Sequence, residues 1–503
     1  GINMLYSGAL TATLAACAAA TGSGVRARGI ITNDGVRCAC NQLATADPDA
    51  LLRPNSTQYS AQCINVWDKR SNLAPACIYL PTTAESAANA IGIFNTCGAQ
   101  FAVRGGGHMN APGSNSINDG VLLALNNLRD IKVNDEDYTV EVAPGNKWVD
   151  VYEALAPFKR YAIGGRLKTI GVPGLTLIGG VSYFLNKYGY TMDNVVSYDV
   201  ILGNGTSVQA SQHINPELFW SLKGGAGNFG LVTKFVMKTY DVPLVTSTMQ
   251  VFSESAVPAF IKATCDMVLS EDGSVGAGAV INLNYNVSTK LVTPQIFGLQ
   301  ETTESPPSRF ANFTAIPAVK RIHNVTEPVH WHSKLESPNQ VFRIQFGHHT
   351  IKLDADQLFW VYQQWRNAVE DIADVKGILP TLVLNSAPKS AAAVGKNNGV
   401  GNAFGLDTEE SYIWWQIATS WDRPEDDLRV EAWAKNLLGR LHKANKDKGL
   451  ATEFLYIGDA AEWQDPIQTY GEENLRRLRA ARDQYDPSLV FTKLAWGGFK
   501  LGF

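Results

Sequence analysis

The stretch Phe101 to Asn110, FAVRGGGHMN, concentrates the residues of this chain best suited to chemistry. An apolar run, Phe101-Ala102-Val103, meets Arg104, then Gly105, Gly106 and Gly107, then His108. Residues without a Cβ reach positive φ and let bare backbone N–H groups come close to a ligand, and such a nest suits phosphate. His108 ends that permissive run with an imidazole. By itself the decapeptide reads equally as a glycine-rich surface turn, but its companions point to a ligand. GVPGLTLIGG, Gly171 to Gly180, with Gly189 soon after, holds more glycine than a packed strand tolerates. A third glycine loop interrupts NPELFWSLKGGAGNFGLVTKF, Asn215 to Phe235, between a predicted helix and a predicted strand.

The surrounding pattern says what positions these loops. Ala76 to Leu80 reads as a strand, followed by a helix with capping-box spacing at Thr82 and Glu85 and an apolar face of Ala88, Ile91, Phe94 and Cys97. Phe101 to Arg104 is the next strand, so the first glycine loop leaves the carboxyl end of a β-α-β unit, where α/β sheets bind ligands. Strands follow at Val121 to Leu125 and Thr139 to Val142, a helix at Trp148 to Leu155, and a hairpin whose strands flank Gly203-Asn204-Gly205. After Tyr240 the glycine clusters thin out, and strands alternate with longer helices. Val341 to Thr350 and Tyr412 to Trp421 are predicted strands, and Asp354 to Ile372, Pro424 to Lys446 and Glu472 to Gln484 predicted helices. Asp47 to Ser60 reads as an extended lead-in. His330 and His332 flank Trp331 in a predicted loop, and no metal site is expected.

At 503 residues the chain exceeds one ordinary core. A net charge of −4 leaves no basic footprint for nucleic acid or an anionic membrane. Leu5 to Ala20 is uncharged, ends in Ala18-Ala19-Ala20 and is too short to span a bilayer, so residues 1–20 are expected to be a secretory signal peptide. Sequons at Asn55, Asn204, Asn286, Asn312 and Asn324 suit a glycosylated secreted protein. Cys38, Cys40, Cys63, Cys77 and Cys97 crowd the N-terminal region, which suggests disulfides: Cys63 with Cys77, and Cys38 or Cys40 with Cys97.

RGGGH at Arg104 to His108, GVPGLTLIGG, Tyr190 to Asn194 with Gly203-Asn204-Gly205, NPELFWSLKGGAGNFGLVT and the late YGEENLRRLRAARDQYDP occur in order. Together they resemble the berberine-bridge-enzyme-like branch of the vanillyl-alcohol-oxidase superfamily of FAD-linked oxidases, in its secreted fungal form, over nearly the whole chain after Cys40. The resemblance implies an α+β fold. A two-part FAD-binding domain, about Gln42 to Asp241 plus Thr452 to Phe503, would carry an inserted antiparallel-sheet substrate domain, about Val242 to Ala451.

It also implies roles. Arg104 to His108 would hold the FAD pyrophosphate, with His108 joined covalently to the flavin C8-methyl. Gly113, Ser114, Gly174, Gly179, Gly180, Asp193, Gly230, Val232 and Asn474 would be further flavin contacts. The cysteine that gives many relatives a second tether would fall near Leu167, and no cysteine lies between Cys97 and Cys265, so a single tether is expected. Tyr456 stands where the family's Y-x-N motif has its tyrosine, with Gly458 in place of the asparagine. An ordinary tyrosine ionises near pH 10 and needs a neighbour to act as a base, and His348 is a second candidate. The implied activity is hydride transfer from a small apolar or aromatic fungal metabolite to flavin, which O₂ reoxidises to give H₂O₂. Trp414, Trp415, Trp421, Phe342 and Phe346 would favour a planar substrate. Two alternatives share the fold: a carbohydrate oxidase, which the missing second tether disfavours, and a flavin-retaining Diels-Alder-type cyclase without net redox.

Overall fold

The computed structural model describes residues 34–495 and 497–502; the expected leader, 1–20, with Cys17, lies outside them. β1 (Leu51–Leu52), β2 (Cys77–Tyr79), β3 (Phe101–Arg104) and β4 (Val121–Ala124) form a small sheet in the order β1-β2-β4-β3, parallel across β2, β4 and β3. Helix Ala84–Cys97 links β2 to β3, as the sequence predicts, but its cap lies one residue later than Thr82. Ser86 N donates to Thr83 Oγ1 at 3.0 Å and Thr83 N to Ser86 Oγ at 3.2 Å, a reciprocal box. The helix buries Ala87, Ala90, Ile91, Ile93 and Phe94, while Ala88 and Cys97 are only half-buried.

The disulfides are Cys38–Cys97 and Cys40–Cys77, which overturns Cys63–Cys77. Strand alternation explains the correction. Cys77 and Tyr79 face the core that contains Cys40, whereas Ile78 faces the opposite one, which contains Cys63. The expected extended lead-in is also corrected: Thr57–Cys63 is a helix, opened by Tyr59 N donating to Ser56 Oγ at 3.1 Å.

β5 (Ile131–Asn134), β6 (Thr139–Val142), β7 (Arg160–Ala162), β8 (Val195–Ile201), β9 (Ser207–Ser211) and β10 (Leu231–Asp241) build an antiparallel second sheet around β10. The third sheet contains β11 (Val245–Val251), β12 (Ala277–Asn286), β13 (Leu291–Gln300), β14 (Lys320–Thr326), β15 (Arg343–Lys352), β16 (Leu379–Ala387), β17 (Tyr412–Trp421) and β18 (Ala451–Thr452). It is antiparallel throughout, in the order β14-β11-β13-β12-β16-β17-β15-β18. Every residue of β17 is buried, so both faces are covered. Ile413, Trp415 and Ile417 pack in the core shared with helices Val257–Leu269, Ala355–Ala368 and Asp427–Asp447, while Trp414 joins the core of the second sheet. After β18 the chain returns to the first sheet, where Ala495 bridges Phe101 and Val490 and Phe491 enter its core. His330 and His332 lie on a short helix, Pro328–His332, rather than in a loop.

One buried ion cluster ties the glycine loop to the third sheet. Arg70 pairs with Asp68 at 2.8 Å and Glu462 at 2.6 Å, and donates to Asn110 O and Ile344 O at 2.6 and 2.5 Å. Nothing in the sequence pattern marks it. Elsewhere all five sequon asparagines are exposed, and no helix among the described residues is long and apolar enough to cross a membrane.

Candidate active site

The loop Gly105–Asn110, the segment Leu167–Val181, the start of β10, the turn after Tyr456 and the segment Gly497–Lys500 converge on a cavity of about 430 Å³. Of the residues singled out in the sequence, Gly105, Gly106, Gly107, His108, Ser114, Gly174, Gly230, Val232 and Tyr456 line it. Close backbone contact builds its floor. A Cβ on Gly106 would lie 2.4 Å from Gly171 Cα, so two of the glycine loops pack back to back. Gly174 and Gly227 do the opposite: they line the cavity and a Cβ on either would meet nothing within 4 Å.

His108 is clamped by Trp67. The rings stack with centroids 4.3 Å apart, Trp67 N donates to Gly107 O at 2.8 Å, and Trp67 Nε1 donates to Ser337 Oγ at 2.8 Å. Burial, with Lys147 nearby, holds His108 down at about 3, so the imidazole is neutral, and its Nε2 is buried without a hydrogen-bond partner.

Other expected contacts lie outside the cavity wall and serve as supports. Arg104 donates to Gln62 O at 2.7 Å and to Gln62 Oε1, turned away from the loop it precedes. Gly113 O sits where a Cβ on Gly497 would fall, and Gly179 and Gly180, at φ +110° and +87°, pack on Phe404 and Thr191. Asp193 accepts from Tyr190 N at 2.9 Å and Asn402 Nδ2 at 2.8 Å. Asn474 donates to Ala403 O and Tyr470 O, both at 3.2 Å, instead of reaching the cavity. Gly179, Asp193 and Asn474 therefore hold the segment around Phe404 against the glycine loops.

His348 is also behind the wall. Tyr456 N donates to His348 Nε2 at 2.8 Å, and burial holds the imidazole down at about 4, so it is a neutral acceptor that positions Tyr456. The Tyr456 ring stacks on Trp414, centroids 5.1 Å apart, and folds over Gly458, where a Cβ would lie 2.4 Å from Tyr456 Cε1. Gly458 is thus the space the tyrosine ring occupies, not a vacant support. Burial and the charge of Asp459 push the Tyr456 hydroxyl above its ordinary value of 10. Trp414, Trp415 and Trp421 are fully buried and none reaches the cavity; of the expected aromatic cluster only Phe346 does.

Sequence reasoning missed Trp67, Arg166, Gln416, Asp459 and Lys500, all on the wall. The signal for Asp459 was available, since Tyr456-Ile457-Gly458-Asp459 places a carboxylate one turn from the tyrosine. Nothing local marks Gln416 within an aromatic strand.

Buried imidazoles make a pH prediction. His332, His348 and His349 are held at about 3, 4 and 2, below their ordinary 6.5, first by burial. Below pH 6.5 the unfolded chain takes up protons that the folded chain refuses, so stability present above that value is lost as pH falls. Asp68 and Asp459, raised to about 6 by burial, work in the opposite direction and blunt the slope. Thermal melts of His349→Gln are therefore expected to show a smaller fall in Tm from pH 6.5 toward pH 4 than the native chain, because one imidazole fewer takes up a proton only on unfolding.

Residues 75–211 match the FAD binding domain family. Over 485 residues, 92% of this chain and 93% of the relative, the chain is 30% identical to the FAD-dependent monooxygenase prx3 of Penicillium roqueforti. The chain belongs to the berberine-bridge-enzyme-like FAD-linked oxidases of the vanillyl-alcohol-oxidase superfamily. It is an FAD-dependent oxidoreductase. Among solved structures, Physcomitrella patens BBE-like 1 shares the fold at a TM-score of 0.75 and 20% identity, covering 92% of this chain and 99% of that one. Glucooligosaccharide oxidase of Acremonium strictum, described with a 6-S-cysteinyl, 8α-N1-histidyl FAD, shares it at 0.74 and 19%, with the same coverage.

The residues of this berberine-bridge-enzyme-like chain fit FAD. The buried, unpartnered Nε2 of His108 borders the cavity, and Gly174 and Gly227 leave open the space their side chains would fill.

Proposed function

We propose that this protein is a secreted oxidase that acts on a small apolar or aromatic fungal metabolite, with FAD held through one covalent bond to His108. The observation that carries the reading is His108 itself: neutral by burial, fixed by Trp67, with an unpartnered ring nitrogen at a largely apolar cavity. A neutral imidazole nitrogen is a competent nucleophile toward an activated methyl carbon. A single tether is supported by Leu167 on the cavity wall, at the position where a second, cysteinyl bond would be sought. We take the FAD-binding part as 42–241 plus 452–503 and the substrate-binding part as 242–451.

The chemistry that bound FAD would supply is that of a hydride acceptor able to return two electrons to O₂. The chain's own residues hold and enclose. The glycine loops would offer backbone N–H groups to the phosphates, Lys500, whose Nζ donates to Phe491 O at 3.0 Å, borders the same cavity, and Phe346, Leu175, Ile178 and Val181 exclude water from it. Tyr456 stays protonated, a hydrogen-bond donor at the wall. A carbohydrate oxidase would be expected to offer aromatic faces to a sugar ring, but Trp414, Trp415 and Trp421 do not reach the cavity, and Trp67, which does, is stacked on His108.

The test is covalent flavin. Purified protein is expected to be yellow and to keep its colour after acid precipitation, to consume O₂ with an oxidisable substrate, and to lose all acid-stable flavin in His108→Ala. Colour that washes free on denaturation removes the covalent bond from this reading. Turnover without O₂ uptake replaces the oxidase with a redox-neutral cyclase.

A further inference from the structure

Among the described residues Asp459 is the one carboxylate on the cavity wall, and the roles assigned above do not use it. It ends the 3₁₀ turn Ile457–Asp459 directly after Tyr456, and Asp459 N donates to Tyr456 O at 3.2 Å. Among the described residues its carboxylate accepts one side-chain hydrogen bond, from Asn385 Nδ2 to Oδ2 at 2.9 Å, so Oδ1 has no protein donor. Asn385 Oδ1 accepts from Arg166 Nη2 at 3.2 Å, and Arg166 Nη1 donates to Ala279 O at 3.3 Å. Two strands, β12 and β16, and the Arg166 loop thus aim one carboxylate at the cavity.

Resting on the oxidase reading, we propose that Asp459 accepts the hydroxyl proton of a neutral alcohol substrate, while Asn385 and Arg166 position it and Tyr456 donates a hydrogen bond to the same substrate oxygen. In this step the substrate O–H bond breaks, its proton bonds to a carboxylate oxygen of Asp459, and the electron pair stays on the substrate oxygen. No electron changes hands. The carboxyl returns its proton to solvent after turnover.

The alternatives fail on geometry and charge. His348 lies behind the wall with its Nε2 occupied by Tyr456 N, and burial and Asp459 keep Tyr456 neutral against the opposing pull of Arg166 and the Val181 and Gly180 amides. Burial raises Asp459 to about 6, opposed by Arg166 and Asn385, which suits a base working near neutral pH. Charge also selects the substrate. Arg166 and Asp459 carry opposite charges on the same wall, so a charged substrate group gains from one what it loses to the other and still has to shed its water in a largely apolar cavity. A neutral hydroxyl on an apolar body escapes that cost.

The experiment uses the flavin-loaded full chain, with benzyl, cinnamyl and geranyl alcohols as probes against the matched amines. Wild type is expected to oxidise at least one alcohol and to prefer alcohols to amines. Asp459→Asn is expected to keep its acid-stable flavin, lose about 100-fold or more in kcat, and lose the acid limb of the kcat/KM profile near pH 6. Asn385→Ala removes the donor that favours the charged carboxylate, so its acid limb moves to higher pH.

A second readout needs no turnover. A carboxyl whose folded value exceeds its ordinary 3.8 costs stability as pH rises toward about 6. Asp459→Asn is therefore expected to gain Tm relative to wild type above pH 6 and not at pH 4. Unchanged kcat and acid limb in Asp459→Asn, with both lost in Tyr456→Phe, overturns the assignment of the base. Preference for amines, or no turnover of any alcohol, overturns the substrate class. Wild type without flavin or O₂ uptake overturns the oxidase reading and this one with it.

Discussion

Gly171→Ala is expected to destabilise the protein by about 1–3 kcal/mol and to sharply reduce its flavin content. Gly171 has φ −73°, which alanine adopts freely, so backbone strain plays no part. The cost comes from contact. A Cβ there would lie 2.4 Å from Gly106 N and 2.6 Å from Gly106 Cα, and backbone atoms cannot rotate aside as a flexible side chain can. The loop carrying His108 must then separate from the segment that carries Gly174, and both line the cavity. Denaturant unfolding gives the stability change, and visible absorbance per protein gives flavin content. The same alanine at Gly439, where a Cβ meets nothing within 4 Å, is expected to leave flavin content unchanged.

Arg70→Ala is expected to cost about 3–5 kcal/mol, because breaking a buried ion pair leaves an uncompensated charge. Asp68 is fully buried, and its carboxylate also holds Ile344 N at 3.2 Å. Arg70 is the cation that favours the charged form of Asp68, whose value burial has already raised to about 6. Its removal raises that value further. Below the raised value Asp68 is protonated and the penalty relaxes, so the deficit of Arg70→Ala is expected to be largest at pH 8 and to shrink by pH 5. Melts at both pH values check the sign. Asp68→Asn combined with Arg70→Met removes both charges and is expected to recover most of the loss, with Glu462, itself partly exposed, left to solvent.

Much of the site is legible in the sequence. A lone Gly-Gly-Gly-His says little, but β3 and helix Ala84–Cys97 follow from strand and helix periodicity, and together they deliver the loop to the end of a parallel strand. The residues that sequence order misplaced fail for one reason: a motif reports that a residue is needed, not what it touches. Asp193 and Asn474 are required by the packing of residues 402–404, which are more than two hundred positions from Asp193 in the chain. His348 has the chemistry of a base, yet its Nε2 is taken up by the amide of Tyr456. The cap at Thr83 rather than Thr82 and the pairing of Cys40 rather than Cys63 are slips of register, decided by which face of an element is buried.

The amino-acid order alone determined most of the elements (the helices Thr57–Cys63 and Pro328–His332 excepted), the glycine loops that bring backbone close to a ligand and the imidazole at the end of the first loop, because these depend on periodicity and on the absence of a Cβ. Tertiary structure alone decided which side chains share the cavity. Trp67 against His108, and the chain from Arg166 through Asn385 to Asp459, join residues 41, 219 and 74 positions apart. Such pairs are fixed by how sheets pack and in what register their strands lie, and local sequence carries no record of either.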